Sequence, residues 1–156
     1  MTAPLRLCVR RSAEAAPGAP SRPAEISVQV PTDLDVVEEA VDLVARHCLA
    51  SGLPPHAARF RLRVALCEAL ANAIVYGNRM DPDKSVDVRV EVTREALSVY
   101  VADEGDGFDP RDIPDPTLPG AIERSSGRGL FLIRRLVDEV RFNERGNSIC
   151  MILRRA

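Results

Sequence analysis

Hydrophobic periodicity constrains the fold of this chain more than any other feature of its sequence. Five short segments have the apolar–polar alternation or β-rich composition that is typical of strands. Three segments repeat apolar residues every three or four positions, as amphipathic helices do. The predicted order is β-α-α-β-β-loop-α-β-β. The predicted strands are 25–30, 86–92, 97–103, 140–145 and 148–155, and the predicted helices are 32–52, 55–77 and 130–140.

This order predicts helices packed on one face of a largely antiparallel sheet, an α+β fold in the form of a two-layer α/β sandwich. Thr32 is the predicted N-cap of the first helix and Gly52 its predicted end. The segment 104–129 has four prolines and no clear periodicity. Ordered loops of this length are uncommon and are usually functional or mobile.

The composition argues against several functional classes. A formal net charge of −2 in 156 residues gives no sign of nucleic-acid binding, and the chain has no Trp for base stacking. No stretch approaches the roughly 20 apolar residues that cross a membrane. The four cysteines contain no CxxC pair, so we read Cys48 and Cys67 as reduced residues in or near the core. The expected location is the cytoplasm.

Residues 1–24 form a basic segment rich in Ala and Pro. We predict a disordered tail here, ahead of a single domain at 25–156. A targeting role for the tail is the alternative. The stretch LRLCVR alternates, so a short strand within this segment is also compatible with the pattern.

The second predicted helix carries two polar residues beside its apolar stripe. Glu68 and Asn72 are four residues apart, so their side chains point in the same direction. They could form a partly exposed flank of the helix, or they could serve one site together. The predicted core stripe of this helix consists of Phe60, Val64, Cys67, Ala71 and Ile74.

A second polar stretch, DEGDGFD, follows a predicted strand. One reading is an ordinary turn. A calcium loop of the EF-hand type is excluded, because Gly105, Gly107 and Pro114 stand where that loop needs oxygen ligands. The remaining reading assigns Asp103 to a nucleotide base. Glycines let a flat ring approach the backbone, and a carboxylate accepts a hydrogen bond from the exocyclic amine of adenine.

A third stretch, SSGRGLFLI, places two glycines at a helix start, where free N–H groups can bind an anion. An ordinary helix cap is the alternative. The stretch is not a dinucleotide-binding fingerprint, because Leu132 stands where a third glycine is required. The GK[ST] sequence of a P-loop does not occur in the chain.

Taken together, the three stretches predict one ATP site. Asp103 would contact adenine, residues 127–130 would contact the phosphates, and the amide oxygen of Asn72 would be a ligand of Mg²⁺. Glu68, one helical turn from Asn72, would be a general base near the γ-phosphate.

The order Glu-x-x-x-Asn, Asp-x-Gly-x-Gly, Gly-x-Gly resembles the motif series of the GHKL ATPase superfamily, and within it the anti-sigma-factor serine kinases. The resemblance covers residues 25–155 and implies an ATP-binding fold of the Bergerat type, with a mixed, mostly antiparallel sheet. It implies that the segment 104–126 is the ATP lid. It also implies the following roles: Glu68 as base and Asn72 as Mg²⁺ ligand; Asp103, Gly105 and Gly107 at adenine; Gly127, Arg128, Gly129 and Leu130 at the phosphates; and Ser148, in place of a Thr, near adenine.

By resemblance, such a protein is an ATP-dependent protein-serine kinase and an anti-sigma factor in a partner-switching circuit. It binds a sigma factor, phosphorylates a serine on a STAS-domain anti-sigma-factor antagonist, and commonly forms a homodimer. Arg124, Arg128 and Arg134 are further candidates for contacting the phosphates. Two alternatives stay open: a non-catalytic ATP-binding module that sequesters a regulatory protein, and a regulator of a phosphatase or of another kinase.

Overall fold

The computed structural model of the chain describes residues 5–10, 24–107 and 125–155. Within them, six strands form one sheet in the order β1-β2-β3-β4-β6-β5. The strands are β1 (Arg6–Arg10), β2 (Ala24–Pro31), β3 (Ser85–Val92), β4 (Ala96–Ala102), β5 (Glu139–Phe142) and β6 (Ser148–Arg154). The helices are α1 (Val37–Ala50), α2 (Leu62–Asn72) and α3 (Ser125–Leu136); π-helical turns at Ala57–Arg61 and Ala73–Gly77 extend α2 at both ends.

The α+β sandwich and the predicted order of elements from β2 onward are confirmed; β1 is a sixth strand that precedes this order. The resemblance implied a mixed sheet, whereas every pairing between the described strands is antiparallel. Of the segment 1–24, the structure describes residues 5–10 and Ala24, and Arg6–Arg10 pairs with β2. Residues 108–124, most of the predicted ATP lid, lie outside the described residues. None of the helices in the described ranges has the length and apolar character of a membrane span.

Alternation along the strands divides the sheet into a buried face and an outer face. On β4, Leu97, Val99 and Val101 are buried, and the residues between them are half-exposed. The buried side chains of the strands and of the three helices form one core cluster, so the helices cover only this face. The opposite face is largely polar, and none of the described helices packs on it.

Local hydrogen bonds set the ends of α1. The N-cap of the short 3₁₀ turn before α1 is Asp33, whose carboxylate accepts from the N–H of Asp35 at 2.8 Å. The prediction of Thr32 as N-cap is therefore wrong. Gly52, at φ 93°, ends the helix as predicted, with its N–H bonded to Leu49 and that of Leu53 bonded to Cys48. This pair of bonds is a Schellman motif.

The predicted core stripe of α2 is mostly wrong. Phe60 is 52% exposed, Cys67 is exposed, and of the five predicted residues only Ile74 is fully buried. The helix is apolar on two sides, so periodicity alone does not choose between them. The side that packs on the sheet alternates leucines with alanines that allow close approach. Its buried residues are Ala58, Leu62, Ala65, Leu66, Ala69, Leu70, Ala73 and Ile74.

Two arginines connect elements that are far apart in sequence. Arg61 donates to the carbonyl of Leu136 at 2.7 Å and lies 3.5 Å from the carboxylate of Asp138, which joins the start of α2 to the end of α3. Arg155 donates to the carbonyls of Ser51 and Thr93, which joins the end of β6 to the end of α1 and to the β3–β4 turn.

Candidate functional site

The middle of α2 and the start of α3 bring three of the predicted site residues together. A Cβ added to Gly129 would lie 2.9 Å from Oε2 of Glu68 and 3.1 Å from Nδ2 of Asn72. The two polar side chains are half-buried and sit directly against the glycine. The prediction that Glu68 and Asn72 point together toward the second glycine motif therefore agrees with the geometry, and Gly129 leaves the room that their side chains occupy.

The start of α3 has the geometry of an anion-binding end. Gly127 and Arg128 lie in its first turn, whose N–H groups have no partner within the helix. Gly129 and Leu130 follow in the same helix, and the side chain of Leu130 is 6% exposed and belongs to the core. Because α3 begins at Ser125, the N–H groups of Gly129 and Leu130 lie beyond its first turn and bond within the helix, so the phosphate-binding role predicted for these two residues does not come from free N–H groups. Arg134 is exposed farther along the helix, and Arg124 lies outside the described residues.

Asp103, directly after β4, lies at the other end of the candidate site from Glu68, Asn72 and α3. Its N–H donates to the carbonyl of Asn147 at 2.9 Å, and its carboxylate accepts from the N–H of Gly105 at 2.8 Å. The carboxylate lies against the end of the α2 helix, because a Cβ added to Gly77 would be 2.3 Å from the Cγ of Asp103. These contacts fix the carboxylate in one orientation.

Burial raises the pKa of the Asp103 carboxyl, while the hydrogen bond from Gly105 and the charge of Lys84 oppose that shift. A partly desolvated carboxylate with one hydrogen bond retains accepting capacity that water does not fully satisfy. It can accept a further hydrogen bond from a ligand N–H or NH₂ group, as the adenine hypothesis requires.

Close backbone approach explains the two glycines of the DEGDGFD stretch. A Cβ on Gly105 would lie 2.1 Å from the carbonyl oxygen of Gly77 and 2.9 Å from Oδ1 of Asp103. A Cβ on Gly107 would lie 1.7 Å from the carbonyl oxygen of Arg145, and the φ of Gly107 is +81°. Neither position accepts a larger residue without a shift of backbone.

Ser148 is the predicted site residue that the structure does not bring to the others. It pairs with Ala102, and its neighbour Ile149 is buried, so the side chain of Ser148 belongs to the outer face of the sheet. Asn147 instead contacts the Asp103 turn, through its carbonyl and through an Nδ2 atom 3.4 Å from the carbonyl of Gly105. The register between β4 and β6 therefore places Asn147, and not Ser148, beside the Asp103 turn.

Sequence reasoning also missed Gly77 and Asn78, which it assigned to the end of the helix and to a turn. Asn78 is 0% exposed, and its amide bonds to Thr32, to the carbonyl of Ser85 and to the N–H of Glu104. The only signal in the sequence was an amide directly after an apolar helix. That signal does not reveal partners 7, 26 and 46 residues away.

The residues fit a nucleotide with a divalent cation better than they fit a protein-bound metal. Among residues 5–10, 24–107 and 125–155 there is no group of three His, Cys, Asp or Glu side chains that could hold a metal ion. Mg²⁺ commonly takes one or two protein oxygens and completes its shell with phosphate oxygens and water. The amide of Asn72 beside Gly129 and the first-turn N–H groups of α3 suit that arrangement.

Comparison with known proteins agrees with this geometry. The family model of the histidine kinase-like ATPase domain matches residues 30–153. The serine-protein kinase RsbW of Bacillus subtilis (strain 168) is 36% identical over 97 residues, which cover 58% of this chain and 61% of that kinase. The RsbW kinase of Bacillus licheniformis is 36% identical over 86 residues, covering 51% and 54%.

The RsbW kinase of Listeria monocytogenes serovar 1/2a is 29% identical over 100 residues, covering 58% of this chain and 62% of that kinase. The chain thus spans less than two thirds of the length of each of these relatives. The family match is broader, because it runs from the end of β2 almost to the end of β6. The chain belongs to the histidine kinase-like ATPase domain family, and its sequence is similar to the RsbW serine-protein kinases.

Proposed function

We propose that this protein is an ATP-dependent protein-serine kinase that acts as an anti-sigma factor in a partner-switching circuit. The contact of Gly129 with Glu68 and Asn72 carries the proposal, because it brings a carboxylate and an amide oxygen to a helix start that suits phosphates. A pure nucleotide-binding module needs no carboxylate at that point. The similarity to serine-protein kinases supports the same activity.

Each residue of the site has a distinct role in the proposed reaction. Asp103 accepts a hydrogen bond from the amine of adenine, and Gly105 and Gly107 let the turn that carries Asp103 pack against the carbonyls of Gly77 and Arg145. The N–H groups at the start of α3 bind the phosphates, and the oxygen of Asn72 binds Mg²⁺. Glu68 receives the proton of the acceptor serine hydroxyl. When bound, Mg²⁺·ATP supplies the phosphoryl group and the charge that neutralises it.

The resemblance to anti-sigma-factor serine kinases supports the two proposed protein partners. The acceptor is a serine on a STAS-domain anti-sigma-factor antagonist, and the second partner is a sigma factor. A homodimer and a cytoplasmic location belong to the same proposal. The alternative is a non-catalytic ATP-binding module that sequesters a regulatory protein, and it differs in one respect: Glu68 would have no chemical role.

Calorimetric titration with ATP and Mg²⁺ tests the proposal on the wild type and three variants. Asp103→Asn should weaken binding by about 1–3 kcal/mol, because the amide presents an N–H donor or a weaker acceptor to the adenine amine. Asn72→Ala should weaken only the Mg²⁺-dependent part. Glu68→Ala should bind ATP as the wild type does and lose phosphotransfer to the antagonist. Asp87→Asn, an exposed acid on the outer face of the sheet, is the matched control.

Each outcome has a definite meaning. A wild type that does not bind ATP would refute the proposal. ATP binding with phosphotransfer that survives Glu68→Ala would remove Glu68 as the base. ATP binding without transfer to any STAS-domain antagonist would favour the non-catalytic module.

A further inference from the structure

We propose that Asn78 is a positioning residue for the end of the nucleotide site that would hold adenine, which we call the base end. In this role it holds the turn Asp103–Gly105 against the end of the α2 helix, so that the Asp103 carboxylate meets the base in a fixed position. This inference rests on the proposed binding of ATP, but its structural part can be tested without a nucleotide.

Three hydrogen bonds join Asn78, Ser85 and Glu104 in a closed ring. The N–H of Glu104 donates to Oδ1 of Asn78 at 2.8 Å, and Nδ2 of Asn78 donates to the carbonyl of Ser85 at 3.0 Å. The N–H of Ser85 then donates to Oε2 of Glu104 at 2.7 Å. Each residue of the ring is both donor and acceptor, so the amide of Asn78 cannot turn without breaking two bonds.

A fourth bond anchors the ring to Thr32, which directly follows β2. Nδ2 of Asn78 also lies 3.1 Å from the hydroxyl of Thr32, and that hydroxyl donates to the carbonyl of Lys84 at 2.6 Å. Asn78 is 0% exposed and Thr32 is 7% exposed. Water therefore does not readily replace these bonds, and a shortened side chain at position 78 would leave the N–H of Glu104 without its acceptor.

The ring acts on Asp103 through the peptide bond that joins it to Glu104. The nitrogen of this bond is the atom held by Asn78. The next residue, Gly105, donates to the Asp103 carboxylate and packs on the carbonyl of Gly77. Gly77 thus permits the close approach of the turn, and Asn78 holds the turn there. Without the hydrogen bond from Glu104 to Asn78, the Asp103 carboxylate can still accept a hydrogen bond, but its position is no longer fixed.

The test compares Asn78→Ala with Thr32→Val in the full chain. Asn78→Ala removes the acceptor of the Glu104 N–H, whereas Thr32→Val keeps that acceptor and removes the two hydrogen bonds of the Thr32 hydroxyl, to Asn78 and to the carbonyl of Lys84. Both variants should lower thermal stability. Only Asn78→Ala should weaken nucleotide binding, by about tenfold, which is the usual cost of one spoiled buried hydrogen bond.

The pattern across ligands separates positioning from a general loss of structure. Because the affected contacts lie at the base, Asn78→Ala should weaken ADP without Mg²⁺ and ATP with Mg²⁺ by the same factor. Asn72→Ala should weaken only the second. Equal losses in Thr32→Val and Asn78→Ala, or an unchanged affinity in Asn78→Ala, would overturn the proposal.

Amide hydrogen exchange of the nucleotide-free protein gives the second readout. The N–H of Glu104 should exchange slowly in the wild type and in Thr32→Val, and at least about tenfold faster in Asn78→Ala. Unchanged exchange at Glu104 would overturn the positioning role even if ATP binds. If the wild type binds no ATP but exchange at Glu104 follows this pattern, the ATP proposal fails and the structural role of Asn78 stands.

Discussion

The two ends of the candidate site differ in how firmly the protein holds them. At the base end, Asp103 is tied to Gly105 and Asn147 and lies against Gly77, and the buried Asn78 holds the same turn. At the phosphate end, Glu68 and Asn72 are half-buried and make no hydrogen bond within the described part of the chain. The end proposed to hold the base is thus fixed by contacts within the protein, whereas the side chains proposed for the reaction keep the freedom to adjust.

This difference has a chemical rationale. A rigid base pocket lowers the entropy lost on binding and so favours affinity. A carboxylate that must first approach a hydroxyl and then hold its proton changes partners during the reaction. Substitutions at the two ends should therefore separate affinity and stability from chemistry.

The largest expected effect belongs to Gly105→Ala. The added Cβ would lie 2.1 Å from the carbonyl oxygen of Gly77, and this oxygen is backbone, which cannot turn aside as a flexible side chain can. The turn must move away from the α2 helix, which should cost about 3 kcal/mol of unfolding free energy and abolish ATP binding. Chemical denaturation and calorimetry measure the two effects. A Gly105→Ala protein with wild-type stability would show that the base end is not rigid.

Gly129→Ala is the matched substitution at the phosphate end. Its Cβ would meet the ends of two side chains, Oε2 of Glu68 and Nδ2 of Asn72, which can turn aside. Alanine also favours a helix interior over glycine, so stability should stay within about 1 kcal/mol of the wild type. Phosphotransfer should fall by roughly tenfold or more, because the side chains of Glu68 and Asn72 are displaced. A loss of stability as large as that of Gly105→Ala would erase the contrast between the ends.

The smallest expected effect is a pH dependence at the base end. Burial raises the pKa of Asp103, so the folded protein holds that proton more tightly than the unfolded chain. Any stability from this group is present below the unfolded pKa and is lost as pH rises through the raised folded value. ATP binding has the opposite sign, because it needs the carboxylate and should weaken as pH falls through the same value.

Calorimetry from about pH 8 down to about pH 4 measures this dependence. ATP itself titrates in this range, so the difference between the wild type and Asp103→Asn is the relevant quantity. The wild type should lose affinity relative to the variant as the solution becomes acidic. A constant difference across the range would mean that Asp103 does not accept a hydrogen bond from the ligand.

Local patterns were enough to predict the order of elements and the pairs of candidate site residues that follow one another closely. Glu68 and Asn72 are one turn apart, and Asp103 and Gly105 are in one turn of chain, so spacing alone places each pair. The second helix shows where this reasoning stops. Its two apolar sides have the same period, and only the packing against the sheet decides which of them is buried.

The residues that sequence reasoning missed depend on contacts between distant parts of the chain. Asn147 rather than Ser148 meets the Asp103 turn because the β4–β6 register sets which face each residue takes. Asn78 gains its role from Thr32, Ser85 and Glu104, which the folded sheet brings to the end of the α2 helix. No local pattern contains that information.

The position of Arg155 has a practical consequence. Its side chain joins Ser51 to Thr93 at the end of the sheet where β4 begins, whereas Asp103 lies where β4 ends, seven strand residues away. That separation is roughly 20 Å along the strand. A fluorophore or surface tether attached next to Arg155 would leave the opposite end of the sheet facing solution, so single-molecule measurements of nucleotide exchange can use this anchoring point without covering the site.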